Sequence, residues 1–406
     1  MTLRTVPDDV RDMAARALDV AQEKVDALVT RDPDYFPLYT ECGKWRHGKE
    51  AWTNWCEGFL GGQMWIFAER TGSADWRARA ENYSLKLKGR EHDRQVHDLG
   101  FTFWPTWRRW HTLTGRDDLD DVVVRAGRTM GMRFDEKAGL LRSFLAPDST
   151  FIDIMMNVGI IFYAAERADD AELRRIVDTH CLSTRRYLVR GDGSTAHEGI
   201  FDLESGAFLR QSTQQGWRSD SSWARGQAWA LYGFGTCYAF TGEPRYLDTA
   251  MHCADYYIER TGAGGIPPND WDEPDPVVAY ESSAAAIAAS GLLQLAALVP
   301  DSTRGTGYRD YAFAVLRGLC EPPFLASDDP AWEGVLRHGS YHEAKGLGVD
   351  ESVMWGDYFF VEALDKCLGG MWESFQRESG RQLPAGTTTT SGSGRERKEE
   401  ECHASR

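Results

Sequence analysis

Six apolar stretches, crowded with glycine and alanine and spaced almost regularly along 406 residues, constrain this chain more than any other feature. They begin near Trp55 (WCEGFLGGQMWIFAERTG), Phe101 (FTFWPTWRRWHTLTG), Ile154 (IMMNVGIIFYAAERADD), Ser222 (SWARGQAWALYGFGTCYAFTG), Ser282 (SSAAAIAASGLLQLAALVP) and Ser352 (SVMWGDYFFVEALDKCLGG). Successive starts lie about 45 to 70 residues apart, a hairpin period rather than a tandem of short repeats. A helix apolar on nearly every side is buried, and a helix with one apolar stripe covers it. Several runs end in Thr-Gly or Asp-Asp and give way to a more polar amphipathic helix. Thr241-Gly242-Glu243-Pro244 before Tyr246-Leu247-Asp248 is the clearest stop and restart. Six buried helices alternating with six covering ones predict an all-α, closed (α/α)6 barrel, a six-hairpin toroid whose loops surround one central funnel. Residues 1–30 read as one further amphipathic helix, placed as the outer partner that closes the ring.

After about residue 378 the sequence turns to RQLPAGTTTTSGSGRERKEEECHASR, polar, charged and without aromatics. We therefore expect one catalytic domain over 1–378 and a disordered polar tail over 379–406. The formal net charge of −16 argues against nucleic acid or an anionic membrane surface as partner. No run approaches the ~20 apolar residues of a membrane span, and the charged N-terminus has no signal-peptide pattern. The eight Cys are scattered without a CxxC pair, which points to reduced thiols and a cytoplasmic protein. A monomer or weak homodimer is expected.

Two segments place a single carboxylate inside an apolar, aromatic run: His97-Asp98-Leu99-Gly100-Phe101 and Phe151-Ile152-Asp153-Ile154-Met155-Met156-Asn157. Burial makes an ionised Asp costly and raises its pKa, so each is either a structural strut or a proton donor. Together they suggest an acid/base pair from two different helices. A third stretch, Gln214 to Trp229, is dense in residue types that bind sugars. Trp223 and Trp229 offer flat faces, Arg225 a planar fork for a carboxylate, and Gln215 and Gln227 reach for hydroxyls. Trp, Arg, Gln and Trp alternate here, so part of the stretch is expected to be the loop entering a helix.

These residues resemble glycoside hydrolase family 88, the unsaturated glucuronyl hydrolases. The resemblance is carried by HDLGF (97–101), DxMMN (153–157), QG (215–216), WARGQAW (223–229), SSAAAIAASGLL (282–293) and HGSYH followed by WGDYFF (338–342, 355–360), over roughly residues 30–370. It implies an (α/α)6 barrel that acts on 4,5-unsaturated uronic acids at the non-reducing end of lyase products, hydrating the C4=C5 bond. By position, Asp153 is implied to be the general acid and base. Asp98 is implied as a second carboxylate that orients substrate or tunes Asp153, and if ionised it would also stabilise positive charge near C5. Trp52, Trp223 and Trp229 match stacking positions, His197 the pocket histidine, and Gln215 and Arg225 polar contacts to the sugar. His97 is placed to donate to a substrate hydroxyl. Phe144 stands where a pocket Trp is usual, Gln214 where His is common, and Glu281 where Asp is typical.

No metal or cofactor is called for. His338 and His342 look superficially like a ligand pair, but the segment reads as a loop. The next sugar is expected to be read by loops near 266–280 and 338–348, with Lys345 a candidate for a sulfate. The alternatives are an unsaturated rhamnogalacturonyl hydrolase, a catalytically silent sugar-binding protein on the same toroid, and a sugar epimerase. The last would want paired His bases that the sequence does not offer.

Overall fold

Each apolar run becomes a helix, and a more polar helix packs behind it. The computed structural model describes residues 6–48, 55–299 and 302–369; Trp52 and the expected polar tail lie outside the described residues. In chain order the helices are α1 (Asp8–Arg31), α2 (Gly58–Thr71), α3 (Ala74–Lys86), α4 (Leu99–Phe103), α5 (Arg109–Thr114) and α6 (Asp117–Gly131). They continue with α7 (Val158–Arg167), α8 (Ala171–Leu188), α9 (Ala224–Thr241), α10 (Pro244–Thr261), α11 (Ser282–Leu298), α12 (Ser302–Leu319) and α13 (Met354–Gly369). A π turn at Trp104–Arg108 joins α4 to α5, so these two form one inner element.

The inner elements are α2, α4–α5, α7, α9, α11 and α13. Each packs against the next, and α13 packs back on α2, so the ring is closed. Helix α1 lies against α13 and α12, as the outer partner expected from the sequence. The burial pattern follows the residue types. Almost every residue of α11 is buried, whereas α6 and α8 bury one stripe. Alanine and glycine in α9 and α11 let the inner helices approach closely.

Turns from an inner helix to its outer partner are short. At Thr241–Glu243 the helix stops at Gly242, whose φ of 68° suits glycine, and Glu243 caps the next helix by accepting the Arg245 amide at 3.1 Å. The returns from outer to next inner helix are long and gather at the N-terminal ends of the inner ring. These returns carry short antiparallel strands: β1 (Thr40–Glu41) with β2 (Lys44–Trp45), and β3 (Phe134–Asp135) with β4 (Leu140–Leu141). Next come β5 (Ser149–Phe151), β6 (Glu198–Phe201) and β7 (Phe208–Ser212) in one sheet, then β8 (Gly339–His342) with β9 (Leu347–Glu351). The segment ending at His342, expected to be a loop, is therefore mostly strand. Its backbone groups pair across the hairpin with β9, a partner no local pattern announces. His338, just before it, sits 2.6 Å from Asp350.

Candidate active site

Both aspartates, Asp98 buried and Asp153 half-buried, lie at this loop-rich mouth, and their elements explain why. Asp98 precedes α4, and Asp153 lies in a 3-10 turn (Ile152–Met156) leading into α7. Asn157, the last residue of that motif, ties them together. Its Nδ2 donates to Asp98 Oδ1 at 3.2 Å and to the Asp153 carbonyl at 3.3 Å, while its Oδ1 accepts the Phe101 amide at 2.8 Å. The approach needs Gly100, because a Cβ there would stand 2.7 Å from the Asn157 backbone. Strand pairing supplies the second constraint. The Ile152 amide donates to the His197 carbonyl at 2.9 Å, bringing His197 beside Asp153.

Each aspartate faces a histidine built on one plan. His197 Nδ1 accepts the Gln214 and Gln215 amides at 3.0 and 3.3 Å, so its proton belongs on Nε2, which lies 3.6 Å from Asp153 Oδ2. His97 Nδ1 accepts the Phe144 amide at 3.1 Å, leaving Nε2 3.5 Å from Asp98 Oδ1. Burial drives both imidazoles down, His197 to about 3 and His97 well below its usual value, so both are neutral donors at neutral pH. Asp153 Oδ2 and His197 Nε2 are buried and neither has a hydrogen-bond partner. An unsatisfied buried pair is costly unless it serves a ligand.

The carboxyls differ. Burial lifts Asp153 to about 6, while the Arg225 guanidinium and its own main-chain hydrogen bond restrain the rise. Asp98, 3% exposed, is pushed well above the carboxylate range by burial and then by the Asp153 charge, with Arg133 and Asn157 opposing. For Asp98, as for Asp153, burial thus favours the neutral form. Asp98 lies deeper and has no contacting cation, so burial weighs more heavily on its ionised form than on that of Asp153.

A cavity of about 660 Å³ opens over the pair. Of the residues singled out from sequence, His97, Asp98, Phe144, Asp153, Gln215, Arg225 and Trp229 line it. His197 stands immediately behind Asp153. Trp223 does not line the cavity. It is buried behind His197, with ring centroids 4.5 Å apart, and its indole donates to Asn269 at 3.2 Å. Arg225 is rigidly held. It donates to the Ser340 and Tyr341 carbonyls at 2.5 and 2.8 Å and to Gln215 Oε1, 3.8 Å from Glu281. Its plane lies 4.3 Å from the Trp223 ring centroid. The fork expected for a ligand carboxylate thus clamps β8 to α9 and leaves its charge at the cavity wall. Glu281 caps α11 through the Ala284 amide at 2.6 Å, a structural contact. Gln227 is also structural: it is buried and donates to the Gly193 and Cys253 carbonyls at 2.7 and 3.0 Å.

Trp55, Phe101, Phe151 and Tyr341, none of them named as site residues from sequence, complete the wall with Gln214, Lys345 and His342, the last set aside from sequence as one of a superficial ligand pair. Phe101 and Phe151 stood inside the two aspartate motifs, so adjacency to a buried carboxylate was the available signal. Tyr341 and His342 arrive on the β8–β9 hairpin; they stood in the HGSYH motif and in the 338–348 stretch expected to meet the next sugar, but nothing local placed them beside the aspartates.

No protein-family model matches the chain. It is 31% identical over 334 residues to the unsaturated glucuronyl hydrolase of Bacillus sp. (strain GL1), covering 79% of this chain and 88% of that one. It is 28% identical over 324 residues to the unsaturated chondroitin disaccharide hydrolase of Streptococcus pyogenes serotype M1, covering 77% and 81%. Among solved structures, the unsaturated glucuronyl hydrolase of Streptococcus agalactiae aligns with a TM-score of 0.83 at 25% identity, over 90% of this chain and 94% of that one.

Proposed function

We propose, from the premise that the chain belongs to the family of unsaturated glucuronyl hydrolases, that Asp153 is the proton shuttle of its reaction and Asp98 its neutral partner. The enzyme removes the 4,5-unsaturated uronic acid from the non-reducing end of lyase-generated oligosaccharides. The observation that carries the assignment is the unpaired Asp153 Oδ2 and His197 Nε2, 3.6 Å apart at the cavity.

The Asp153 carboxyl gives its proton to C4 of the ring, and positive charge develops at C5. Water adds at C5, and the Asp153 carboxylate takes the proton that water releases. The C5 hemiketal then opens, the ring oxygen leaves C5, and the next sugar departs from C1. A group that gives and retakes a proton works best with a pKa near the working pH, which suits a value of about 6 better than one far higher. Asp98 then serves as a hydrogen-bond donor to the substrate, with His97 and His197 as further neutral donors. Arg225 contributes positive charge and a fixed wall. Trp55, Phe101, Phe144 and Trp229 supply apolar faces for the sugar.

We further place residues 1–378 in one catalytic domain, since α1 closes the ring against α13. A cytoplasmic enzyme fits the seven described cysteines, none in a disulfide. No described helix is long and apolar enough to cross a membrane.

The test is the ultraviolet absorbance of the conjugated uronate, followed with purified enzyme and an unsulfated unsaturated chondroitin disaccharide. The wild type should consume the absorbance, and Asp153→Asn should be slower by about 10²–10⁴-fold, the usual range for a general acid and base. An Asp153→Asn enzyme within tenfold of wild type would remove the shuttle role.

A further inference from the structure

Phe144 and Leu145 form a saddle at the rim of the active-site cavity. On its far side lies a second, open groove of about 640 Å³, lined by the same two residues and by Met132, Arg94, Arg133 and Arg142. We propose that this groove is a distal subsite holding a second acidic sugar of a longer unsaturated oligosaccharide. The proposal rests on the reading of the main cavity as the seat of the terminal unsaturated uronate.

The charge balance supports it. The chain carries 62 acidic against 46 basic residues, yet three guanidinium groups converge here. Arg133 commits its donors to main-chain carbonyls, those of Arg142 at 2.8 Å, Arg94 at 2.5 Å and Ser143. It forms no ion pair among the described residues, so its charge is held rigidly and not neutralised by a contacting carboxylate. Arg94 is exposed and likewise forms no ion pair among the described residues. The nearby acids are engaged. Asp93 lies 3.4 Å from Arg90 and takes the Gln95 amide. Asp135 takes the amides of Lys137 and Ala138 at 3.0 Å and reaches Arg142 only at 3.9 Å.

A fixed guanidinium flanked by two movable ones suits the planar, bidentate geometry of a carboxylate or sulfate. The exposed apolar side chains of Met132 (57%) and Leu145 (48%) offer surface to the face of a pyranose ring. A short peptide or a free anion would gain little from the saddle. An oligosaccharide whose end is fixed over Asp153 must leave the cavity across its rim, and the Phe144–Leu145 saddle leads directly into this basic groove.

The experiment compares kcat/KM for the unsaturated chondroitin disaccharide, the corresponding tetrasaccharide with a second uronate, and a tetrasaccharide whose only acid is the terminal one. Wild type is set against Arg94→Ala/Arg142→Ala; the single variant Arg94→Glu, at an exposed side chain, carries the test if the double variant unfolds. The acidic tetrasaccharide-to-disaccharide ratio should fall about tenfold, the effect of one lost contact worth ~1.4 kcal/mol. The ratio for the neutral-tailed tetrasaccharide should stay within twofold. An unchanged acidic ratio, or an equal fall for both tetrasaccharides, overturns the subsite. If wild type leaves the disaccharide intact, the hydrolase reading fails instead. Calorimetric binding of a saturated acidic tetrasaccharide then decides the groove: tenfold weaker binding in the variant supports it, and equal binding overturns it.

Discussion

At the mouth of the barrel, Asp98 is buried and Asp153 half-buried, each with few partners, and the buried Oδ2 of Asp153 has none. Deeper along the same axis, Glu362 on α13 is buried as well, yet fully engaged. Its Oε2 accepts from Tyr232 Oη at 2.8 Å and from Ser290 Oγ, with Lys366 Nζ at 3.4 Å; its Oε1 accepts from Tyr358 Oη at 3.2 Å. Phe101 lines both the active-site cavity and the axial cavity of about 650 Å³ that Glu362 lines. Burial is common to both regions. What separates a reactive carboxyl from a structural one here is whether the fold supplies donors and a counter-charge.

Three outcomes would sharpen or break this contrast. The largest concerns Glu362→Ala, which leaves the Lys366 ammonium buried without its counter-charge and should cost about 3–5 kcal/mol in urea unfolding. A cost below ~1 kcal/mol would mean the deep cluster is not structural. Next is Asp153→Asn, which should stabilise the protein. Asp153 titrates near 6 in the folded chain against about 4 unfolded, so below about pH 4 the carboxyl is neutral in both states and the substitution is nearly silent. Between about pH 4 and 6 the unfolded chain gives up this proton while the folded one keeps it, so the variant gains at most roughly 3 kcal/mol, complete just above pH 6 and constant to pH 8. Thermal midpoints at pH 4 and pH 8 check this; equal shifts at both would show that Asp153 is not destabilised by burial. The smallest is the pH profile of turnover. The acid form of Asp153 is lost above about 6, so kcat should fall roughly tenfold per pH unit there, about 1.4 kcal/mol each. A profile flat to pH 8 would hand the acid role to Asp98.

Much of the architecture was legible because it is written locally. Apolar runs such as Ser282–Leu298 are buried on every side whatever surrounds them, and Thr-Gly stops end helices by backbone geometry alone. The two aspartates stood out for the same reason, as charges inside aromatic segments. Trp223 misled because residue type does not say whether a ring faces a cavity or a neighbouring histidine. Arg225 does line the cavity, but that its fork is held by the carbonyls of Ser340 and Tyr341, more than a hundred residues away, was not legible locally.

The sequence by itself determined the six-hairpin toroid, the placing of Asp98 and Asp153 in apolar surroundings, and the family. How deeply each aspartate is buried, which ring nitrogens of His97 and His197 face them, and which aromatics line the cavity emerge only from the folded chain. Helix periodicity acts over a few residues, whereas proton affinity depends on desolvation and on charges within several ångströms. Those neighbours come from Asn157, the Gln214–Gln215 amides and the β8–β9 hairpin, and are close to the aspartates only once the ring has closed.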